Sequence, residues 1–496
     1  MPPWKGSRLQ ALDVRRPPHA AAWWHPLLRS LGDSAMDPVA YDTAWLARVP
    51  EAGGRDLLLP TAWDWLLAHQ HRDGSWGAEV EFLPDRLAGT LAAVVALVAN
   101  ERAGLRRAPP GAVAAGLRYI ARASARWAEA PTAQETVGFE LCVPALLAEA
   151  EALALHVTHS LAPLQRTRKE KLARLPHGWR KHPPMSLVHS LEAWADGALA
   201  EGLVDEAGSC GNSPSATAYH HMLAPAPRTA RYLKRATSSG GAKDVDPFEV
   251  FEIAWTLDHF AQAGLSPADP SLAPYVKRLH AAWRGGAGIS AVGLEPDADD
   301  TALAAVTLGR AGRHVSAEVL RGFEREAGFA TFPFERDPSC SANIHVAYAI
   351  SRLPFHGRFE ALAKVLAFLA DTMTPEGFWL DKWHLSPHYP TCRAIIALHR
   401  IAPELITPAV DWLRQGQHSS GAFGAFGGSP EETAYAVEAL AAAGCDDGRV
   451  YRRASAYLRG CPDRPALWIG KGLYCPRRVV DAAVASAQAI ARRWVI

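Results

Sequence analysis

The chain has 496 residues, 49% of them apolar, and a formal net charge of +1 at pH 7. This length predicts about two to four domains with large apolar cores. The balanced charge argues against nucleic acid or an anionic membrane surface as the main partner. Seven scattered cysteines without a CxxC pair argue against a disulfide framework or a structural zinc site, and they favour a reducing compartment.

The N-terminal sequence, Met-Pro-Pro-Trp-Lys-Gly, lacks the apolar core of a signal peptide. The longest apolar run, near residues 87–99, is too short to span a bilayer. We therefore expect a cytoplasmic protein without a membrane span.

Ala, Leu, Arg and Glu dominate the sequence, and the period-two alternation of strands is almost absent, which predicts an all-α fold. In the first half, a Gly-rich turn at residues 70–77 precedes a helical pattern from residue 85. A second such turn, at residues 208–213, runs directly into a helix. The Gly/Ser patch at residues 238–241 predicts a surface loop, because helical pattern resumes at Phe248.

The second half repeats similar helix starts, 44, 46 and 42 residues apart, at Thr301, His345, Thr391 and Thr433. Gly- and aromatic-rich turns precede several of them. Such a spacing accommodates two helices and their connections, so each unit is predicted to be a helical hairpin. Helical hairpins build either a closed toroid around a cavity or an open solenoid with a groove. We expect two toroids, one centred on residues 60–260 and one on residues 270–496.

One cluster of carboxylates stands out in residues 295–302, Glu-Pro-Asp-Ala-Asp-Asp-Thr-Ala. The proline and the apolar run that follows predict a helix start, with Asp297, Asp299 and Asp300 in its first turn. Carboxylates at this position commonly act as helix caps. Three so close together cannot all ionise readily, so at least one is expected to keep its proton and to serve as an acid.

Five other segments accompany this cluster in a fixed order. They are residues 39–45 (Val-Ala-Tyr-Asp-Thr-Ala-Trp), 73–77 (Asp-Gly-Ser-Trp-Gly), 138–144 (Gly-Phe-Glu with Pro144), 213–218 (Ser-Pro-Ser-Ala-Thr-Ala) and 381–384 (Asp-Lys-Trp-His). Together with the carboxylates, which match a DxDD acid motif, they resemble the class II diterpene cyclases. These are protonation-initiated terpene cyclases of βγ architecture.

The resemblance implies an all-α fold of two α/α-toroid domains with the active site between them. The β domain is expected over residues 1–50 plus 270–496, with a γ domain, residues 51–269, inserted into it. The metal-binding DDxxD motif of class I synthases is absent, since Asp446-Asp447 is followed by Gly-Arg-Val. The resemblance therefore implies cyclisation of a prenyl diphosphate with the diphosphate retained.

The same resemblance implies a role for each acidic residue. Asp299 is the expected proton donor, and Asp297 and Asp300 are expected to keep the proton on it by charge repulsion and hydrogen bonding. Asn343 lies where the family has an asparagine that hydrogen-bonds the acid. A structural turn or cap role for Asn343 is the alternative.

Motif positions place Trp255 and Trp383 near the cavity. His189 resembles a family histidine that, with an asparagine, positions a water as the terminating base. Asp244 stands where that asparagine is expected, so it either supports His189 or indicates that deprotonation occurs elsewhere. His189 could instead be a satisfied polar residue lining the γ domain.

A diphosphate calls for Mg²⁺ or for basic partners. Some relatives have an acidic cluster ahead of Gly-Phe-Glu, of which only Glu129 and Glu135 remain here. Glu129 is the predicted ligand for Mg²⁺ and the diphosphate, and the alternative is a solvated helix residue. The basic groups are too numerous to choose among.

The leading hypothesis is conversion of geranylgeranyl diphosphate to a labdane-, halimane- or clerodane-type diphosphate, which a separate class I synthase or phosphatase would consume. The same chemistry on farnesyl diphosphate, giving a drimane-type product, is a close alternative. A squalene- or hopene-type cyclase is disfavoured because such chains are longer.

Two hypotheses belong to different classes of protein, a non-catalytic helical scaffold and a protein prenyltransferase-type barrel. The prenyltransferase would need a zinc-binding set that no motif supplies.

Overall fold

The computed structural model describes residues 23–129, 135–136, 138–157, 161, 163–461 and 463–494. In the first half of these residues the helices are α1 (His25–Leu28), α2 (Ala40–Leu46), α3 (Pro60–Ala68), α4 (Leu83–Arg102), α5 (Ala112–Glu129), α6 (Phe139–Ala152), α7 (Pro163–Ala173), α8 (Met185–Val188), α9 (Pro214–Leu223) and α10 (Pro227–Arg235). In the second half they are α11 (Glu249–Gln262), α12 (Ala273–Ala282), α13 (Ala298–Arg310), α14 (Cys340–Ile350), α15 (Arg358–Thr372), α16 (His388–Leu398), α17 (Pro403–Gln415), α18 (Pro430–Ala442), α19 (Gly448–Gly460) and α20 (Arg477–Ala491).

Short 3-10 helices lie at Leu191–Ala193, Pro270–Leu272, Ala317–Phe323 and Arg492–Trp494. The strands form three antiparallel hairpins: β1 (Thr237–Ser238) with β2 (Gly241–Ala242), β3 (Glu324–Arg325) with β4 (Gly328–Phe329), and β5 (Trp468–Ile469) with β6 (Leu473–Tyr474). Since each strand has two residues, the predicted all-α fold is confirmed. The predicted loop at residues 238–241 is the turn of the first hairpin.

The C-terminal toroid is a closed ring of six inner helices. In order, α11, α13, α14, α16, α18 and α20 each contact the next, and α20 returns to α11. Helices α12, α15, α17 and α19 pack outside this ring. The inner helices α14, α16 and α18 are buried on nearly every side, whereas the outer helix α17 buries only Ile406, Ala409 and Leu413. These inner helices therefore have almost no solvent-exposed face, whereas the outer helix is amphipathic.

The N-terminal toroid is smaller and is closed in the same way. Its inner elements are α2, α4, α6, the 3-10 helix Leu191–Ala193 and α9, which contacts α2 again. Helices α3, α5, α7 and α10 lie outside them. By length and composition, α4 is the one helix in the described part of the chain that could cross a membrane, and 83% of its apolar window is buried inside the fold. Its apolar sequence is explained by its place in this core.

The two apolar cores divide the chain differently from the predicted boundaries at 50/51 and 269/270. One core contains Met36 and resumes at Val245, and the other extends from Ala40 to Ala242. Helix α2 therefore belongs to the N-terminal toroid and α11 to the C-terminal one, the reverse of the prediction. The physical reason is that both are buried inner helices, and the periodicity of such a helix does not identify the ring in which it packs.

The β5–β6 hairpin joins the two toroids. Its tip residue, Lys471, is fully buried and donates from Nζ to Glu192 Oε1 (2.7 Å), Ser213 Oγ (2.7 Å) and Ser215 Oγ (2.6 Å) of the N-terminal toroid. Next to it, a Cβ on Gly470 would collide with the Asp244 carboxylate, so glycine is needed for this close approach. The hairpin thus fixes the toroids together beside the cavity that lies between them.

Candidate active site

The three aspartates of residues 297–300 lie at the start of α13 and line the cavity between the toroids. Asp297 is the N-cap, and its Oδ1 accepts a hydrogen bond from the backbone N–H of Asp300 at 2.8 Å. Asp297 and Asp300 are buried, while the Asp299 side chain is 15% exposed toward the cavity. The cluster therefore caps the helix and also presents a carboxyl group to the cavity.

Asp297 and Asp300 form an interacting pair that retains protons at neutral pH. Burial raises the pKa of Asp300 well above its ordinary value, and the neighbouring Asp297 carboxylate raises it further. Burial also raises the pKa of Asp297, to about 7. Two carboxylates this close in an apolar site cannot both ionise readily, so they hold at least one proton between them.

Asp299 is paired with a histidine. His345, on α14, is 1% exposed, and its Nδ1 lies 2.5 Å from Asp299 Oδ1. On the other side of the imidazole, Arg393 Nε donates to His345 Nε2 at 2.9 Å. Because an arginine can only donate, Nε2 is the acceptor and Nδ1 carries the hydrogen that is donated to Asp299. The second oxygen of Asp299, Oδ2, makes no hydrogen bond within the described residues and is free to carry an acidic proton.

Asn343 does not contact the acid, so the prediction that it hydrogen-bonds Asp299 is wrong. Its Oδ1 accepts from the backbone N–H of Phe329 at 2.8 Å, and its Nδ2 donates to the carbonyls of Phe329 (2.8 Å) and Ser339 (2.9 Å). It ties strand β4 to α14, which is a structural role. His345 is two residues further along α14. Residues two positions apart on a helix are separated by about 200° of rotation, so the two side chains lie on nearly opposite sides of α14. The sequence carried no signal that separates His345 from Asn343, because both are polar residues buried on α14.

Aromatic side chains form much of the cavity wall, and both predicted tryptophans are among them. Trp255 donates from Nε1 to Tyr389 Oη at 2.9 Å, and its ring lies edge-on to His345 with centroids 5.4 Å apart. Trp383 also lines the cavity, with the Lys382 ammonium 5.4 Å from its ring centroid. Trp255 is therefore positioned beside the acid, and the wall presents π faces of the kind that stabilise a cation.

His189 and Asp244 both line the cavity on the side of the N-terminal toroid, but they do not hydrogen-bond to each other. His189 Nδ1 donates to the Gly211 carbonyl at 2.7 Å, which leaves Nε2 as an acceptor without a partner among the described residues. Burial lowers the pKa of His189 to about 3, so the imidazole is neutral. Asp244 Oδ1 instead accepts from the Gly472 N–H at 2.9 Å, and burial raises its pKa to about 6. The contact by which Asp244 could support His189 as the base is therefore not made in this structure.

The predicted magnesium ligand, Glu129, is exposed at the end of α5 and does not line the cavity. Glu135 does line it, with Oε1 2.7 Å from Lys171 Nζ and Oε2 3.6 Å from Lys382 Nζ. Burial acts to raise the pKa of Glu135, but the two lysines outweigh it and lower the pKa to about 2. Over the described ranges, no group of three His, Cys, Asp or Glu side chains is arranged to hold a metal. Residues 130–134, outside those ranges, contain no carboxylate.

Glu135 is thus paired with ammonium groups in this structure, and no step is assigned to a magnesium ion. Lys171 and Lys382 are the basic cavity residues that the sequence could not single out. The cavity has an acidic group on α13 and ammonium groups elsewhere on its wall, with aromatic faces between the two toroids.

Known proteins share this architecture. Residues 325–472 match the squalene-hopene cyclase C-terminal domain. The chain is 34% identical to the type B diterpene cyclase of Mycobacterium tuberculosis, over 92% of this chain and 95% of that protein. It is 30% identical to the ent-copalyl diphosphate synthase of Streptomyces sp. (strain KO-3988), over 87% of this chain and 88% of that one.

A solved structure, ent-copalyl diphosphate synthase from Streptomyces platensis, matches with a TM-score of 0.79 and 28% identity, covering 95% of this chain and 99% of that chain. The similarity thus extends over nearly the whole of both chains in sequence and in fold. With the DxDD carboxylates placed in the cavity between two α/α toroids, this chain belongs to the class II diterpene cyclase family and is an enzyme of that class.

Proposed function

We propose that this enzyme converts geranylgeranyl diphosphate into a bicyclic labdane-, halimane- or clerodane-type diphosphate with the diphosphate retained. The observation that carries the proposal is the Asp299–His345 pair, in which a hydrogen-bonded acid opens onto a cavity with an aromatic wall. The names of the relatives support a diphosphate substrate, since two of them are copalyl diphosphate synthases.

In the first step, Asp299 gives the proton of its Oδ2 to the distal alkene of the substrate. The O–H bond breaks and leaves its electrons on the carboxylate, while the alkene π pair forms the new C–H bond. The N–H of His345 donates to Oδ1 throughout, and this bond strengthens as the carboxylate forms. It thereby stabilises the transition state more than the ground state, which is the requirement for catalysis.

The resulting carbocation is attacked by the next two alkenes, forming two C–C bonds and a decalin cation. Trp255, Trp383 and Phe251 offer π faces along this path. Each such contact contributes roughly 0.5–2 kcal/mol when the cation is desolvated. The apolar side chains that supply much of the wall also limit the water that could trap the cation as an alcohol.

Proton loss ends the reaction. His189 is the proposed acceptor because its Nε2 lone pair has no other partner in the described structure and its imidazole is neutral. The electrons of the broken C–H bond form the product alkene, and the proton goes to Nε2 or to a water that it positions. The overall change is an isomerisation, so no co-substrate is consumed.

Lys171 and Lys382 support the placement of the diphosphate at their part of the cavity wall. Ammonium groups attract phosphate oxygens, and carboxylates hold both lysines in place: Glu135 pairs with Lys171 at 2.7 Å, and Glu335 pairs with Lys382 at 2.5 Å. The magnesium requirement stays a prediction, and no step proposed here depends on it. Since the diphosphate is retained, a separate class I synthase or phosphatase is expected to consume the product.

The test is to incubate the purified enzyme with geranylgeranyl diphosphate and, separately, with farnesyl diphosphate, at low and at millimolar magnesium. Products are dephosphorylated and identified by GC-MS. Asp299→Asn is the matched control, since it preserves the size of the side chain and an acceptor oxygen but has no acidic proton. We expect a bicyclic C20 alcohol from the wild type and only the linear alcohol from the variant.

Cyclisation of farnesyl diphosphate alone would favour the drimane-type alternative. Linear alcohols from both substrates with the wild type would contradict the proposal and favour a scaffold or a longer substrate. Cyclisation by a folded Asp299→Asn at near the wild-type rate would overturn the assignment of the acid.

A further inference from the structure

The histidine that contacts the acid is itself held by an ion pair inside the C-terminal toroid. Arg393, on α16, is 2% exposed and donates from Nε to His345 Nε2 at 2.9 Å. Its Nη1 donates to Asp258 Oδ2, on α11, at 2.7 Å. Three inner helices, α11, α14 and α16, thus contribute one residue each to a chain of contacts that ends at Asp299.

We propose that Arg393, anchored by Asp258, is a positioning residue that fixes His345 as the Nδ1–H tautomer and so keeps the acidic proton of Asp299 on the oxygen that faces away from the histidine. This inference rests on the proposed role of Asp299 as the proton donor. It assigns to Arg393 and Asp258 a role that the sequence motifs did not indicate.

The tautomer follows from the chemistry of arginine. A guanidinium is never an acceptor and does not deprotonate in proteins, so the atom facing it must accept. A hydrogen on His345 Nε2 would point at Arg393 Nε, which is a donor. The Nε2–H tautomer and the doubly protonated imidazolium are both disfavoured by this contact, whereas the Nδ1–H tautomer satisfies Arg393 and Asp299 together.

Asp258 holds the guanidinium in the required orientation. It is fully buried and accepts from two arginines, Arg393 at Oδ2 and Arg310 at Oδ1 (2.8 Å). Burial acts to raise the pKa of Asp258, but the two guanidinium groups outweigh it and lower the pKa below its ordinary value. The Asp258 carboxylate is therefore ionised and fixed in place. Because it binds Arg393 through Nη1, Nε of Arg393 is directed at the His345 imidazole.

The consequence is a defined position for one proton. If Nε2 carried the hydrogen, Nδ1 would present a lone pair to Asp299 and would accept the acidic proton in an O–H···N hydrogen bond. That proton would then lie between the carboxyl and the imidazole instead of on the oxygen available to the alkene. Fixing His345 as the Nδ1–H tautomer thus prevents an inactive arrangement. That arrangement has the same protons and charges as the active one, but the acidic proton of Asp299 lies against the imidazole.

The chain offers a matched pair of variants. Arg393→Met removes the contact with His345 and one cation from Asp258. Arg310→Met removes the other cation from Asp258 but leaves His345 untouched, and Arg310 does not line the cavity. Both variants should be less stable, because each weakens the pairing of a buried carboxylate. Only Arg393→Met should alter the chemistry at Asp299.

The first measurement is kcat and KM on geranylgeranyl diphosphate. For Arg393→Met we expect kcat about tenfold lower with KM little changed, since general acid catalysis contributes roughly 10²–10⁴-fold and only the placement of the proton is altered. For Arg310→Met we expect kcat within about twofold of the wild type. An unchanged kcat in Arg393→Met, or an equal loss in Arg310→Met, would overturn the proposal.

The second measurement reads the tautomer without activity. Long-range ¹H–¹⁵N spectra of protein labelled in the histidine rings distinguish Nδ1–H from Nε2–H, and His345→Phe assigns the signal. We expect Nδ1–H in the wild type and in Arg310→Met, and a shift toward Nε2–H in Arg393→Met. A wild-type Nε2–H tautomer would refute the positioning role even if the enzyme proved to act on another substrate.

If Arg393→Met does not fold, the double variant Asp258→Asn/Arg393→Met removes both charges of the Asp258–Arg393 pair and is expected to be better tolerated, since Arg310 is 31% exposed and keeps its hydrogen bond to Tyr348. It should show the same loss in kcat and the same change of tautomer. A wild type that cyclises no substrate would contradict the proposed function, while the spectra would still decide the role of Arg393.

Discussion

Replacement of His345 by phenylalanine tests the pair that carries the proposed function. The phenyl ring fills the space of the imidazole but has no N–H to donate to Asp299 Oδ1, 2.5 Å away in the wild type. It also leaves Arg393 Nε without its acceptor. Asp299 itself, the aromatic wall and Lys171 with Lys382 are unchanged, so substrate binding should be little affected.

The magnitude follows from the change in charge on Asp299 during proton transfer. A hydrogen bond to a neutral carboxyl is worth about 0.5–1.5 kcal/mol, and one to a charged acceptor about 1.5–3 kcal/mol. Only the difference, about 1–2 kcal/mol, acts on the transition state relative to the ground state. We therefore expect kcat to fall about five- to thirtyfold with KM nearly constant.

The assay is steady-state turnover of geranylgeranyl diphosphate, quantified by GC-MS after dephosphorylation, together with a thermal melt of each variant. His259→Phe is the matched control. His259 is another fully buried histidine of the C-terminal toroid, with Nδ1 2.8 Å from Glu438 Oε2, but it does not line the cavity. Both variants should lose stability, and only His345→Phe should lose kcat.

The reasoning would be refuted by a folded His345→Phe that keeps kcat within about twofold of the wild type, since the differential hydrogen bond predicts a larger loss. An equal loss of kcat in His259→Phe would also refute it. In that case the effect would come from damage to the toroid and not from the contact with Asp299.

Three further predictions concern the other buried polar groups. His189→Ala should change the product profile more than kcat, because proton loss follows the protonation that commits the substrate. Lys471→Met leaves Glu192 buried without its cation and should lower the free energy of unfolding by about 3–5 kcal/mol in denaturant titrations. Asp297 has a pKa raised by burial from 3.8 to about 7, so its contribution to stability is fully present below about pH 4 and is lost as pH rises through about 7. The stability of the wild type relative to Asp297→Asn should therefore fall between about pH 4 and pH 7.

Each of these predictions has a clear contrary outcome. An unchanged profile and an unchanged rate in His189→Ala would remove His189 from the mechanism. The double variant Lys471→Met/Glu192→Gln should recover part of the loss, and no recovery would show that the two residues do not interact energetically. A stability difference between wild type and Asp297→Asn that rises with pH would contradict the burial of a retained proton.

Much of the fold could be predicted from local sequence. The Pro and Asp residues at 296–300 marked the start of α13, and the structure begins that helix at Ala298 with Asp297 as its cap. The spacings from His345 to Thr391 and from Thr391 to Thr433 each match one inner and one outer helix, whereas the unit from Thr301 to His345 has a 3-10 helix and the β3–β4 hairpin in place of the outer helix. The predicted all-α toroids are confirmed. These features depend on residues near each other in the chain, so local patterns determine them.

The residues of the active site could be predicted only in part from local sequence. The resemblance carried by the motifs predicted that Asp299, Trp255 and Trp383 would belong to one cavity, and all three line it in the structure. The sequence did not distinguish Asn343 from His345, since both are polar residues on one helix and only the packing of α14 against α13 decides which side chain meets Asp299.

The sequence by itself thus determined the helices, their repeat, the acidic cluster and the family of this protein. The tertiary structure decided which toroid contains α2 and α11, which histidine contacts the acid, and that Asp244 bonds the hairpin at Gly472 rather than His189. It also brought Arg393 and Asp258, 135 residues apart, behind His345. The physical reason is that periodicity gives the orientation of a residue about its own helix axis, whereas contacts between distant segments depend on how the helices pack around the ring.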